Sequence, residues 1–445
     1  LSVGFQFFPS EIGHDIASYK GSSVGIQVLP ALVGVGYICG PKISSYMLAG
    51  GTLSWFVIMP LIALFGADAT VFPGTAPISA MAPNALWSNY IKYIGAGAVA
   101  TGGIISLIKS FPLILRTFKQ AMSSLSHKHT SQGSTLRTQQ DLPMPALLVV
   151  LVIIVLAIWL VPAFPVSPIG ALIVVIFGFF FATVSSRMVG LIGSSNNPVS
   201  GMAIATIIIT TLLLKGTGTT GTQGMIGAIA IGGIICVIAA IAGDCSQDLK
   251  TGFILGATPK KQQLAEIVGV IVSSAAIGFV LYLLNEAWSY GGEELPAPQA
   301  TMMRMLVEGI MNAELPWAMI LTGVGIAIVV EILKVPVMPF AVGMYLPFSL
   351  SAGIMSGGIV RWFMERRKNV SDEERKESVD RGVLYTSGLI AGEGLMGIVL
   401  AAVAALKMDI NMSEILSIGK IGGLVVFCLL LASLVYVCTK NKKKS

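Results

Sequence analysis

Charged side chains are scarce in this sequence. Only 11% of the 445 residues are Asp, Glu, Lys or Arg, whereas 54% are hydrophobic, and the mean hydropathy is +0.83. An ordinary globular domain carries about 25% charged residues, so this composition excludes a soluble multidomain enzyme. The repeated apolar stretches, each about 17–25 residues long, indicate a polytopic helical membrane protein.

The sequence also lacks the motifs of metal and nucleotide sites. Its five cysteines form no CxxC pair, so we expect small apolar packing residues and neither a disulfide framework nor a zinc site. No GxxxxGK[ST] loop is present, so ATP is not the energy source within this chain. His127 and His129 could hold a metal weakly, but two solvated loop residues explain them better. We predict no cofactor and no resident metal.

The few charges indicate how the chain is oriented. The formal net charge of +6 comes mostly from loops and the tail, so it reports membrane orientation and does not indicate nucleic-acid binding. The loop at residues 113–143 and the tail at 440–445 are basic, and we expect both to be cytoplasmic. An odd number of apolar stretches separates them, so one stretch should be re-entrant. The best candidates are Val335–Pro347 and Leu191–Gly201.

The segment Leu191–Gly201, LIGSSNNPVSG, is polar and glycine-rich although it lies between two strongly apolar runs. At membrane depth, irregular backbone is tolerated only where it is buried in protein or lines a wet cavity. Amides and hydroxyls offer neutral hydrogen bonds to a polar substrate without the cost of burying a charge. We predict a substrate-binding interruption, with a helix-breaking surface loop as the alternative. The predicted contacts are Ser194, Ser195, Asn196 and Asn197.

An internal echo predicts a second kind of interruption. Val28–Gly34 (VLPALVG) matches Val337–Gly343 (VMPFAVG), and a tyrosine, a proline and a glycine pair follow each string. Internal repeats with interrupted helices in corresponding positions are typical of secondary transporters. We therefore predict a duplication and expect Tyr37 and Tyr345 to line the substrate path.

Three acidic residues are candidates for carrying protons. Glu393 lies inside an otherwise uncharged apolar stretch, where a carboxylate is costly and usually faces a cavity. The glycines on both sides of it leave room for a ligand. Asp244 and Asp248 are four residues apart in GDCSQDLKTG, close to Lys250. They could form a proton or cation relay at a cavity mouth, or be solvated charges of a cytoplasmic loop.

Five blocks of the sequence resemble the oligopeptide transporter family, in its prokaryotic branch related to the yellow-stripe metal-chelate transporters. They are GLIGSSNNPVSGM, GDCSQDLKTGFILGATPKKQQ, LPALVGVGYICGPK, VGMYLPFSLSAGI and GLIAGEGLMG. The resemblance covers nearly the whole chain. It implies a proton-coupled importer of small peptides or of metal–chelator complexes.

The start of the chain departs from the family pattern. The chain begins LSVGFQFFPS, without a basic segment ahead of an apolar core, so we expect no signal peptide. The amino-terminal helices of the family, including a YPEG block, have no counterpart in this sequence. We therefore expect an N-terminally truncated member with about eleven or twelve spans.

Together these features predict an all-α polytopic helical bundle with broken or re-entrant helices and internal repeats. We expect a single transporter domain over residues 1–445 in the cytoplasmic membrane of a prokaryote. The predicted function is proton-coupled uptake of small oligopeptides, with import of metal–chelator complexes as the alternative. A membrane channel or a membrane-embedded enzyme is less favoured. An enzyme should show a catalytic cluster, and none is visible, whereas a channel would conduct without saturation. The oligomeric state stays open.

Overall fold

The architecture is that of a computed structural model of the chain. It describes residues 6–16, 18–126, 136–161, 166–192, 199–291, 295, 297–312, 316–368, 370–408 and 417–440. Helices dominate these residues. Two short strands, β1 (Glu11–Asp15) and β2 (Ser23–Gln27), form an antiparallel hairpin ahead of the helices.

The helices follow one another along the chain. The first five are α1 (Pro30–Leu53), α2 (Met59–Gly66), α3 (Pro83–Leu86), α4 (Lys92–Ser126) and α5 (Met144–Leu160). The next five are α6 (Pro168–Ile192), α7 (Val199–Gly216), α8 (Gly221–Leu255), α9 (Pro259–Trp288) and α10 (Pro298–Asn312). The last five are α11 (Trp317–Ile332), α12 (Val337–Tyr345), α13 (Phe348–Glu365), α14 (Asp372–Ala405) and α15 (Gly419–Thr439). Single π-helical turns, Ser54–Ile58 and Trp87–Ile91, join α1 to α2 and α3 to α4.

Seven stretches of the described residues are helical, long and apolar enough to cross a membrane. This confirms the predicted all-α polytopic class and makes the chain a multi-pass membrane protein. Two shorter apolar helices, α7 and α11, add to the bundle. The seven candidate spans are Pro30–Gly66, Arg137–Leu160, Pro168–Gly190, Gly221–Leu255, Pro259–Trp288, Asp372–Ala405 and Gly419–Thr439.

The chain divides into two compact units. The first unit comprises Leu1–Gly102, Tyr282–Leu295 and Pro316–Ser445, and the second comprises Gly103–Leu281 and Pro296–Leu315. The core of the first unit lies between α1, α13 and α15. Its buried side chains include Val33, Tyr37, Val360, Met364, Phe427 and Leu434.

The second unit is built on α6, α7 and α8. Apolar side chains of these three helices are fully buried against one another, because small residues let the helices approach closely. The amphipathic helix α10 covers α7 and α8 with its apolar face. Buried residues of this unit include Val184, Met202, Ile231, Ile235, Val307 and Met311.

The polar segment with Asp244 and Asp248 is helical, although a loop was the alternative considered for it. Helix α8 runs without interruption to Leu255 and ends on Gly256, whose φ of 72° suits the left-handed cap of a helix. Both carboxylates are exposed. The amine of Lys250 lies over the ring of Phe253, 5.8 Å from its centre. Solvation of one helix face therefore explains the polar residues without a chain break.

Helix α4 also extends into the predicted basic loop, as far as Ser126. Residues 113–126 are rich in Leu, Lys, Arg, Gln, Ala and Met, which favour helix, so the absence of long apolar runs does not end it. Residues 127–135, including His127 and His129, lie outside the described residues.

Candidate functional site

The helical path of the first unit is interrupted twice, each time a few residues after one of the two matching strings Val28–Gly34 and Val337–Gly343. In α1, Gly40 has φ 84° and ψ 170° and is followed by Pro41. A left-handed φ is open to glycine at little cost, and proline supplies no amide, so the regular hydrogen bonding of the helix stops there. The second interruption separates Tyr345, the last residue of α12, from Phe348, the first of α13, with Pro347 in between.

A pair of glycines lets α1 and α13 approach backbone to backbone. A Cβ added to Gly36 would overlap the carbonyl of Ile354, and one added to Gly357 would overlap the carbonyl of Val33. Both glycines are buried. Small residues at helix crossings allow such close approach in membrane proteins, where tight packing drives helix association. The available space therefore requires glycine at both positions.

The same arrangement occurs a second time, between α1 and α12. A Cβ added to Gly50 would overlap the carbonyl of Phe340, and one added to Gly343 would overlap the carbonyl of Met47. The second half of α1 therefore crosses α12 as closely as its first half crosses α13.

The two crossings have the same contacts when α1 and the α12–α13 pair change places. The separation between Gly36 and Gly343 along the chain equals the separation between Gly50 and Gly357. One constant shift in residue number therefore relates each of these two glycines of α1 to a glycine of the α12–α13 pair. Contacts exchanged in this way define a local two-fold relation, as at an isologous interface. Helix α1 and the α12–α13 pair thus exchange their contacts in a register that pairs Gly36 with Gly343, whereas the matching strings pair Gly34 with Gly343. The duplication therefore stays a prediction.

The contacts also set the register between the two elements. In that register Tyr37 corresponds to Met344, and Tyr345 corresponds to Ile38. The two tyrosines of the sequence echo are therefore offset by one position. A comparison of the short strings Val28–Gly34 and Val337–Gly343 does not reveal this shift of register. The contacts between the helix backbones do reveal it.

Arg361 of α13 caps the first half of α1. Its guanidinium donates from Nη1 to the carbonyl oxygens of Tyr37 (3.0 Å) and Ile38 (2.7 Å), and from Nε to Oε1 of Glu365 (2.7 Å). The last carbonyls of a helix have no partner within the helix. Inside a membrane such groups must be satisfied by other parts of the protein. Arg361 supplies this cap, and Glu365 offsets its charge.

The second interruption is capped at the corresponding carbonyls. Ser54 Oγ donates to the carbonyl of Met344 (3.2 Å), and Trp87 Nε1 donates to the carbonyl of Tyr345 (3.1 Å). In the same register Ser54 corresponds to Arg361. The two interruptions are thus alike in geometry but differ in charge, because one cap is a cation and the other caps are neutral.

Replacing Arg361 with Gln should destabilise the protein by about 1–3 kcal/mol, because two carbonyls of α1 lose a charged donor. We expect a lower melting temperature in thermal unfolding of the purified protein in detergent. Arg304→Gln is the matched control. Arg304 also pairs with a carboxylate four residues later, Glu308, but its side chain is 70% exposed compared with 23% for Arg361. Such exposed pairs contribute about 0–1 kcal/mol, so equal losses would contradict the capping role.

Glu393 of α14 caps the other end of α1. Leu29 occupies the N-cap position and makes no side-chain hydrogen bond. Oε2 of Glu393 accepts a hydrogen bond from the backbone amide of Ala31 at 2.6 Å. A carboxylate at this position satisfies a free amide and interacts favourably with the helix dipole. The acidic residue singled out in the sequence thus connects α14 to an interrupted helix.

No atom of the described chain lies within 4 Å of a Cβ added to Gly392 or Gly394, the glycines on both sides of Glu393. In contrast, the space next to Gly382, three turns earlier in α14, is filled by the ring of Tyr37. Room for a ligand next to the carboxylate stays a prediction. Four glycines of α14 have no atom of the described chain within 4 Å of an added Cβ: Gly388, Gly392, Gly394 and Gly397.

The two tyrosines expected along the substrate path are buried. Tyr37 is 0% exposed, and its hydroxyl donates to the carbonyl of Val379 (3.4 Å) and lies 3.3 Å from Sγ of Cys438. It therefore connects α1 to α14 and α15. Tyr345 is 5% exposed, and its hydroxyl has no hydrogen-bond partner among the described residues. Their contact with substrate stays a prediction.

The other predicted site residues are not brought together with Glu393 by the described contacts. Asp244 and Asp248 belong to the second unit, and Glu393 belongs to the first. The predicted substrate contacts Ser194, Ser195, Asn196 and Asn197 lie outside the described residues. Sequence reasoning overlooked Arg361, although a single arginine following the Gly357-Gly358 pair in an apolar stretch was a usable signal.

Comparison with known proteins agrees with this architecture. The sequence model of the family described as "OPT oligopeptide transporter protein" matches residues 1–404. A protein of Haemophilus influenzae named "Putative oligopeptide transporter" is 31% identical over 89% of this chain and 70% of its own length.

Plant transporters are more distant relatives. A "Probable metal-nicotianamine transporter" of Oryza sativa subsp. japonica is 22% identical over 92% of this chain and 60% of its own length. A "Metal-nicotianamine transporter" of Arabidopsis thaliana is 23% identical over 62% of this chain and 42% of its own length. The chain thus spans less than two thirds of the length of each of these two plant relatives. By the extent of the family match, the chain belongs to the OPT oligopeptide transporter family, whose members are membrane transporters and not enzymes.

Proposed function

We propose that this protein imports small oligopeptides together with protons. The observation that carries the proposal is the hydrogen bond between Glu393 and the amide of Ala31. It links the one carboxylate of an apolar stretch to the start of an interrupted helix. Interrupted helices and intramembrane carboxylates are recurrent parts of proton-coupled transporters.

A proton on Glu393 would change this contact directly. The ionised carboxylate is favoured at the positive end of α1, and the neutral acid loses that charge interaction. Protonation therefore weakens the attachment of α14 to α1, and deprotonation restores it. A two-state arrangement of these helices would then respond to the proton gradient, because the two states differ in their affinity for the proton.

Import of metal–chelator complexes is the second candidate. It is favoured by the plant relatives named as metal-nicotianamine transporters. Peptide import is preferred because the relative with the higher identity, 31%, is named as an oligopeptide transporter.

Uptake by the full-length protein in proteoliposomes distinguishes the two candidates. With an acidic exterior, we expect radiolabelled trialanine to accumulate with saturation and a protonophore to stop the accumulation. Iron(III) nitrilotriacetate serves as the chelate probe. Accumulation of the chelate alone would favour the second candidate, and uptake without saturation would indicate a channel. If neither probe accumulates, the proposed function is wrong.

A further inference from the structure

A cavity of about 500 Å³ opens at the interruption of α1, within the first unit. Small-molecule sites commonly measure about 300–1,000 Å³, with mostly apolar walls and a few polar groups. This cavity follows that pattern, because it has one cation, one hydroxyl and an otherwise apolar wall. It is lined by Pro41, Lys42 and Ser45 of α1 and by Met355, Ile359 and Trp362 of α13.

Lys42 is the only charged residue of this lining. It lies in the first half of the candidate span Pro30–Gly66 and is exposed. Among the described residues, no carboxylate pairs with its amine. An ionisable side chain inside a span is costly unless it faces a cavity and has a partner. An anionic group that enters the cavity would supply such a partner for Lys42.

The neighbouring arginine does not compete for that group. Arg361 already donates to two carbonyls of α1 and to Glu365. The half of α1 that begins at Pro41 also presents its positive end at this point, which adds to the attraction for an anion. Among the residues that line the cavity, Lys42 is thus the available counter-charge.

The apolar wall of the cavity can accommodate different side chains next to the carboxylate of a bound peptide. Arg366 lies over the ring of Trp362, 4.6 Å from its centre, and holds one side of the wall. Met355 supplies a flexible thioether that adapts to different shapes. A carrier of peptides with different side chains needs this combination, because the C-terminal carboxylate is the group that all such peptides share.

We propose that this cavity binds the carboxylate end of the transported substrate, with Lys42 as its counter-charge and Met355, Ile359 and Trp362 as the wall for the adjoining side chain. This inference rests on the proposed function. It also extends to a chelate substrate, because aminocarboxylate chelators carry the same anionic group.

Binding of trialanine and of its C-terminal amide to the purified full-length protein tests the proposal by calorimetry. We expect the amide to bind at least about tenfold more weakly than the acid, since a charge-assisted hydrogen bond is lost. Lys42→Gln should weaken binding of the acid to the level of the amide and leave binding of the amide unchanged. Lys20→Gln removes the same charge from an exposed position outside the lining and should behave as the wild type.

A second variant tests the role of the cavity's apolar wall independently of the charge of Lys42. Ile359→Trp narrows the cavity at the apolar wall from a side chain that is 43% exposed, so the fold should survive, with an unchanged melting temperature, while binding of both probes is weakened to a similar extent. If Lys42→Gln keeps the wild-type preference for the acid, the inference is wrong while peptide transport stands. A Lys42→Gln variant that loses only co-purified anionic phospholipid would make this a lipid site and overturn the inference. If the wild type neither binds nor transports a peptide but binds iron(III) nitrilotriacetate, the peptide function fails, and the same Lys42 comparison with the chelate decides the inference.

Discussion

Glu393→Gln should abolish accumulation of substrate driven by a proton gradient and preserve exchange of substrate in the absence of a gradient. Glutamine retains a side-chain oxygen that can accept the hydrogen bond from Ala31, so the helix contact survives. It cannot gain or lose a proton, so the attachment of α14 to α1 no longer responds to pH. The measurement is uptake of radiolabelled trialanine into proteoliposomes, with and without an imposed pH gradient.

A matched control separates coupling from a general loss of charge. Glu308→Gln removes a carboxylate from α10, where it pairs with Arg304 at an exposed position, and should leave gradient-driven uptake near the wild-type rate. Glu393→Ala should be worse than Glu393→Gln in both assays, because it also removes the cap of α1, which is worth about 0.5–2 kcal/mol. Gradient-driven accumulation at the wild-type rate in Glu393→Gln would refute proton coupling through this residue.

The second large effect is expected at the crossing of α1 and α13. Gly36→Val should prevent accumulation of folded protein, because its Cβ would overlap the carbonyl of Ile354. Neither backbone can yield without separating two interrupted helices. Overpacking typically costs about 1–3 kcal/mol and sometimes more, and here the obstacle is backbone. Gly357→Val should have a similar effect, since Gly357 faces the carbonyl of Val33. The measurement is the monodisperse yield in detergent with the melting temperature.

Gly325→Val controls for the difference in helix propensity between glycine and valine. Gly325 lies within α11, and an added Cβ there meets no atom of the described chain within 4 Å. We expect yield and melting temperature close to those of the wild type. If Gly36→Val were as stable as Gly325→Val, the close crossing of α1 and α13 would be contradicted.

The membrane class and the position of the interruptions follow from local sequence. Apolar run lengths predict the spans, because the hydrocarbon thickness fixes how many helical residues cross it. Gly40 and Pro41 interrupt α1 for local reasons, since one permits a left-handed φ and the other lacks an amide. Glu393 is also identifiable as a lone charge in an apolar stretch.

Other local features were not predicted. The hairpin of β1 and β2 escapes detection, because its strands are five residues long and carry glycines at the facing positions Gly13 and Gly25, which weakens the alternating pattern. The segment around Asp244 and Asp248 resembles a loop by composition, yet it is helical because a solvated face tolerates polar residues. Composition alone does not distinguish a polar loop from a helix with one solvated face.

By itself, therefore, the sequence determined the helical membrane class, the places where α1 and the α12–α13 pair are interrupted, and the carboxylate at residue 393. Only the tertiary structure placed Lys42 on the wall of a cavity. It also decided two sets of contacts, those of Arg361 with the carbonyls of Tyr37 and Ile38 and that of Glu393 with the amide of Ala31. Each of these contacts joins residues on different helices, and the register between helices is set by which glycines meet. That register depends on packing between distant parts of the chain, so no local pattern contains it.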